Sequence, residues 1–285
     1  MAYEFRKLYA DLVTADGTVC VLYLSWVRLR DRWHARTGLE VYWPDGRHDV
    51  RHGLNAPAPP ANDTPLERIP LVAELPGGRC ELRFEPEHGA FVPESSPCPA
   101  LSWSVKLARG RATLTAPGLG TFTGNGYADW VSITRATRLL GLRSLTWGRA
   151  HLPDATLVFT ALDLEDARPW RASARWNAMG AAPEAGEART VLDAHGDGRI
   201  ELARGAFILE PRRVLHAGNA YGPERVPRRL DRLIARAVGG ATSETRWLGC
   251  ATDAADGERS GWAVYERVVF GPHRSTKASR MAEAP

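Results

Sequence analysis

Along most of this chain apolar and polar residues alternate one for one. That is the repeat of extended backbone with one face buried and the other wet, because successive side chains of a strand point to opposite sides. Phe5 to Val13, Thr18 to Arg28, His34 to Trp43, Arg79 to Phe84, Ser102 to Leu107 and Arg111 to Thr115 follow it in the first half. Ser144 to His151, Thr156 to Leu162, Arg171 to Trp176, Ala188 to Asp193, Arg199 to Leu209 and Gly261 to Phe270 follow it in the second. Ala15-Asp16-Gly17, Pro44-Asp45-Gly46, Pro76-Gly77-Gly78 and Ala108-Arg109-Gly110 stand between successive segments at hairpin spacing. Strand after strand joined by short turns makes an antiparallel meander, which closes most readily into an up-and-down barrel.

At 285 residues the chain is too long for one small barrel and long enough for two. The expected class is therefore all-β, with two tandem antiparallel barrels over residues 1–140 and 141–273 and a flexible tail over 274–285. One segment breaks the rule. Leu230, Leu233, Ile234, Ala237 and Val238 recur at helical spacing before Gly239-Gly240, which predicts a short helix near the C-terminus. Asn55 to Pro65 is proline-rich and aperiodic, a loop of the kind that covers a barrel mouth, and Glu85 to Pro99 reads as a second irregular connection.

Composition narrows the function classes. Apolar residues at 44% and charged residues at 25% are ordinary for a folded protein. The net charge of +4 comes from arginines scattered singly along strand-like segments, so nucleic-acid binding, which wants a concentrated basic patch, is not expected. Without a long apolar run or a secretory leader pattern, the chain reads as cytoplasmic with no transmembrane segment, peripheral membrane contact being left open. Cys20, Cys80, Cys98 and Cys250 lie far apart and form no ligand cluster, so they read as reduced structural thiols and no metal is expected. Asp193-Ala-His195-Gly-Asp197-Gly198 lacks the distal acid of a calcium loop and reads as a turn; Asp163, Glu165 and Asp166 read as a solvated strand end. No phosphate-binding loop, dinucleotide fingerprint or nucleophile elbow is present.

The chemistry concentrates in Gly124-Asn125-Gly126-Tyr127-Ala128-Asp129-Trp130 and Leu145-Thr146-Trp147-Gly148-Arg149-Ala150-His151. A period of two puts Tyr127 and Asp129 on one face of their strand and Trp147, Arg149 and His151 on one face of theirs. If both faces point into a barrel, a carboxyl group and two basic groups sit among aromatic walls. A carboxyl desolvated in this way holds its proton at neutral pH and can give it to a weakly basic carbon, and the rings stabilise the cation that results. The competing reading makes Asp129 the register-holding partner of Arg149, Trp147 a floor plug and His151 an exposed strand end. Trp26, Trp43 and Trp130 are expected to line a cavity or fill a core.

Tyr127-x-Asp129, Trp147-Gly148-Arg149 and Gly261-Trp262-Ala263-Val264-Tyr265-Glu266 resemble the carotenoid 1,2-hydratase (hydroxyneurosporene synthase) superfamily, which shares its architecture with tocopherol cyclases and lipocalin-like cyclases. The resemblance implies two lipocalin-like (calycin) barrels and a hydrophobic unsaturated substrate, isoprenoid or polyketide, processed without a cofactor. It makes Asp129 the proton donor, with Tyr127 and Arg149 orienting the substrate and Trp130, Trp147, His151, Trp26 and Trp43 around it. The chain departs from the fuller family pattern at Ala128 and Trp130, where histidine commonly flanks the acid. The expectation is a lyase or cyclase of hydratase type; the alternative is a carrier or sensor that only holds a hydrophobic ligand.

Overall fold

The alternating segments pair with their neighbours in chain order, and the first and last of each series then pair with one another. The computed structural model describes residues 3–29, 32–53, 70–93, 98–136, 139–165, 168–177, 182–203, 205–219 and 242–271. Strands β1 (Tyr3–Thr14), β2 (Val19–Leu29), β3 (Arg32–Tyr42), β4 (His48–Gly53), β5 (Leu71–Leu75), β6 (Gly78–His88), β7 (Leu101–Ala116) and β8 (Gly120–Ile133) form one antiparallel sheet in the order β4-β3-β2-β1-β8-β7-β6-β5. The pairing of β8 with β1 closes the meander, and the edges meet where the Thr37 hydroxyl donates to the Glu74 carbonyl at 3.4 Å.

The second sheet repeats the plan. Strands β9 (Leu142–His151), β10 (Thr156–Leu164), β11 (Trp170–Trp176), β12 (Glu184–Gly186), β13 (Arg189–Leu192), β14 (Gly198–Glu201), β15 (Ala206–Asn219), β16 (Thr242–Asp253) and β17 (Ser260–Phe270) run in the order β12-β11-β10-β9-β17-β16-β15-β14-β13. Here β9 and β17 are the closing pair. Both sheets curl into near barrels, the tandem lipocalin-like arrangement expected from the meander. The helix expected near residue 230, the proline-rich loop and the tail lie outside the described residues.

Three local expectations change. Ala108-Arg109-Gly110 is not a hairpin turn: β7 runs unbroken for 16 residues, and the register with β8 shifts on either side of Leu107, so the extra residues are absorbed as bulges. Arg199 to Leu209 is two strands, because the Leu202 amide bonds back to the Gly205 carbonyl at 3.0 Å and Gly205 takes a φ of 98°. The irregular stretch after Glu85 begins later than its prolines suggest, since β6 continues to His88 and Phe91 forms a bridge with Val105.

Each barrel is filled by its own core. In the first, Leu8, Leu12, Leu22, Trp26, Leu39, Leu82, Leu114 and Trp130 pack together; in the second, Leu157, Phe159, Phe207, Leu209, Trp247 and Tyr265 do. A third apolar cluster joins the barrels, with Tyr9, Val21, Trp103 and Tyr127 from the first sheet against Trp147, Val158, Trp176 and Val264 from the second. The closing pairs β1/β8 and β9/β17 therefore face one another across a seam, and their strands are buried on both sides.

Candidate active site

The two tripeptides Tyr9-Ala10-Asp11 and Tyr127-Ala128-Asp129 are identical and lie antiparallel on adjacent strands, with Tyr9 opposite Asp129 and Asp11 opposite Tyr127. Each tyrosine hydroxyl donates to the aspartate two residues on, at 3.0 Å in both cases. Their alanines point into the first barrel and their tyrosines and aspartates into the seam. This internal repeat was legible in the sequence, and reading it would have nominated Asp11 and Tyr9.

What separates the twin carboxyls is the neighbour each meets. Asp11, fully buried, receives Arg149 from β9: the guanidinium donates through Nε at 2.9 Å and through Nη2 to the same oxygen. Arg149 also donates to His151 Nδ1 at 3.2 Å, and His151 Nε2 in turn donates to the Ala108 carbonyl at 2.9 Å, a polar chain that crosses the seam. The β7 bulge is what aims that carbonyl, and Arg109 beside it reaches the Leu152 carbonyl at 2.7 Å. Burial and the adjacent guanidinium hold the His151 pKa well below the usual range, which agrees with a neutral ring accepting from Arg149 and donating to Ala108.

Asp129 has no cation in hydrogen-bond contact among the described residues. Its Oδ2 accepts from Trp103 Nε1 at 3.1 Å and from the Tyr127 hydroxyl at 3.0 Å. Burial pushes its pKa up to about 7 despite these two bonds and the nearby Lys7 ammonium, all of which favour the charged form; the Glu266 carboxylate adds to the rise. Oδ1 carries no bond to a described residue and is the oxygen on which a proton can sit.

Aromatic side chains pack together beside this acid. Trp147 packs edge-on to Tyr9 at 5.2 Å and tilted against Tyr127 at 5.4 Å, while Phe91 meets Trp103 at 6.4 Å. The buried indole N–H of Trp147 makes no hydrogen bond of good geometry. Small residues on the opposite strand faces make this packing feasible: a side chain at Gly126 would strike Ala112 and Phe84, and one at Gly148 would strike Phe159 and Tyr265. Beside the aromatic group, Arg246 lies over the Tyr9 ring at 5.5 Å and binds Glu40, Glu244 and Glu266 at 3.3, 3.0 and 2.9 Å, with Tyr42 donating to Glu40 at 2.7 Å.

The expected residues thus divide. Tyr127, Asp129, Trp147, Arg149 and His151 come together, but in the seam and not inside a barrel, because both faces of their strands are buried and the lumen took the other face. Trp130 points into the first barrel and stacks near Trp26 at 5.8 Å; Trp43 packs on that same core beside Phe122. None of these three shares a face with Asp129. Arg149 pairs with Asp11, so the expected Asp129–Arg149 pair is absent, and His151 is buried where an exposed strand end was expected. Trp103, on the hairpin partner strand β7, sits diagonally from Asp129, a pairing that spacing could not give because the two register shifts of β7 displace it. Among the described residues no group of three or more His, Cys, Asp or Glu is placed to hold a metal, and no helix is long and apolar enough to cross a membrane.

The sequence matches no protein-family model and no curated protein. Its fold is shared by solved structures at low identity. CghA, crystallised with Sch210972, superposes with a TM-score of 0.60 at 14% identity, over 95% of this chain and 89% of that one. A protein provisionally designated AttH from Nitrosomonas europaea gives 0.56 at 13% identity over 94% and 92%. Kievitone hydratase from Nectria haematococca gives 0.54 at 10% identity over 94% and 89%.

Proposed function

We propose that the protein is a cofactor-independent hydratase or cyclase in which Asp129 protonates a carbon–carbon double bond of a hydrophobic small molecule held in the seam. One observation carries this reading: a fully buried carboxyl with a pKa of about 7, anchored through one oxygen by Trp103 and Tyr127 beside packed aromatic rings. An acid with its pKa near the working pH combines a useful protonated fraction with a workable drive to give the proton up. The shared fold with kievitone hydratase supports the class, and the crystallisation of CghA with Sch210972 supports a fold able to hold a ligand.

In the proposed step the Oδ1–H bond of Asp129 breaks as a C–H bond forms at one alkene carbon, and the π pair is consumed. The cation left on the other carbon faces the rings of Tyr127 and Trp147, whose quadrupoles stabilise it. Water or a hydroxyl of the substrate then supplies an electron pair to form a C–O bond, and the proton it sheds returns to Asp129. Tyr127 and Trp103 hold the carboxyl in place throughout, while the Asp11–Arg149–His151 chain fixes the strand pair beneath it. Trp26, Trp43 and Trp130 serve in this reading as packing for the first barrel.

The test uses D2O. Wild type and Asp129→Asn are incubated with a panel of isoprenoid and polyketide polyenes, and products are read by mass spectrometry. Wild type is expected to give one substrate carrying a deuteron on carbon, as a hydrate or a cyclised isomer; the variant should give none. Ligand that stays bound and unlabelled in both proteins would leave a carrier and overturn the catalytic reading.

A further inference from the structure

Lys7 lies one step along β1 from Tyr9 on the same face, opposite Val131, and so sits diagonally from Asp129 across the β1/β8 pair. Lys7 is half-buried, and its ammonium lies over two aromatic rings, 5.3 Å from the Tyr9 centroid and 6.0 Å from that of Tyr23. Tyr23 is itself held rigidly: its ring lies against Gly38, where any side chain would collide with it, and its hydroxyl bonds His52 Nδ1 at 3.1 Å. Among the described residues no carboxylate comes within salt-bridge distance of Lys7. The acids nearest in the seam are already engaged, Asp11 by Arg149 and Glu40, Glu244 and Glu266 by Arg246. A preorganised cation without an ion-pair partner thus stands beside the proton donor, where the partly exposed Tyr23, Val131, Leu145 and Trp170 give the seam an apolar rim.

We infer that the seam takes an amphiphilic substrate whose anionic head, a carboxylate or an acidic enol, pairs with Lys7 while its unsaturated apolar part reaches Asp129. This rests on the acid site proposed above and adds to it the head group. A charge-assisted contact of this kind discriminates an acid from its ester by about tenfold or more.

The probes are cis-parinaric acid and its methyl ester, which share one polyene tail and differ only in the charge of the head, with binding read by polyene fluorescence. Wild type is expected to bind the acid at least about tenfold more tightly than the ester. Lys7→Met should erase that preference and leave ester affinity unchanged, while Lys7→Arg should retain it. Equal affinities in wild type, or a preference that survives Lys7→Met, would overturn the head-group assignment and leave the acid site standing; a Lys7→Met protein that is merely less stable belongs with that outcome, the lysine then only balancing nearby carboxylates. Wild type binding neither probe would overturn this inference and the seam as a ligand site together.

Discussion

Replacing Asp129 with Asn should make the protein more stable at alkaline pH relative to wild type, and the size of the effect follows from the burial of this one carboxyl. An aspartate whose pKa moves from 3.8 in the unfolded chain to about 7 in the fold is a group the fold prefers neutral. Between those two values the unfolded chain binds fewer protons than the folded one, so stability falls as pH rises through that window. Below about pH 4 both states hold the proton and nothing is lost. Above about pH 7 the full cost is present, about 4 kcal/mol at ~1.4 kcal/mol per pH unit. Asparagine keeps an oxygen for Tyr127 and Trp103 but never ionises. Its amide adds a constant offset, whereas the pH-dependent part belongs to the carboxyl alone, because every other titrating group is common to both proteins. Urea unfolding of the two proteins, followed by tryptophan fluorescence from pH 4 to 8.5, reads the difference directly. The variant's relative stability should climb by up to about 4 kcal/mol across that range, steepest between about pH 4.5 and 6.5. Parallel curves would refute the reasoning, since a carboxyl that ionises normally has no such window.

Tyr127→Phe removes a hydrogen bond that favours the charged form of Asp129, so its pKa should rise further; carboxyl NMR titration would show the midpoint move up, and an unchanged or lowered midpoint would refute the assignment. Arg149→Met leaves the Asp11 carboxylate buried without its partner and should cost about 3–5 kcal/mol by urea unfolding, with part recovered when Asp11→Asn is added; equal losses in the single and double variants would count against the pair. Trp130→Ala empties part of the first barrel and should cost about 3–5 kcal/mol while the Asp129 titration midpoint stays where it was; a shifted midpoint would mean the two faces of β8 are not independent.

Sequence alone determined the architecture and the pairing of side chains within each strand. The alternation of Phe5 to Val13 or Ser144 to His151, with turns such as Ala15-Asp16-Gly17, follows from local backbone geometry, so two antiparallel meanders could be read without coordinates. The same period placed Tyr127 with Asp129 and Trp147 with Arg149 and His151. Its failure at Ala108-Arg109-Gly110 arose because a bulge and a turn use the same residues and differ only in whether the partner strand continues past them. Which face of β8 looks into a lumen and which into the seam was decided by the tertiary structure. Strands β1, β8 and β9 are buried on both sides, so the face that carries Asp11, Asp129, Arg149 and His151, which its polar residues would mark as the outside, is the one turned into the seam. The partner of Asp11 is likewise distant in the chain, Arg149 lying 138 residues on, whereas Trp103 meets Asp129 across the β7/β8 hairpin in a register that the β7 bulges displace. Two identical Tyr-Ala-Asp segments became one ion-paired carboxylate and one buried carboxyl with a raised pKa because the second barrel brings a guanidinium to the first of them and only burial to the other.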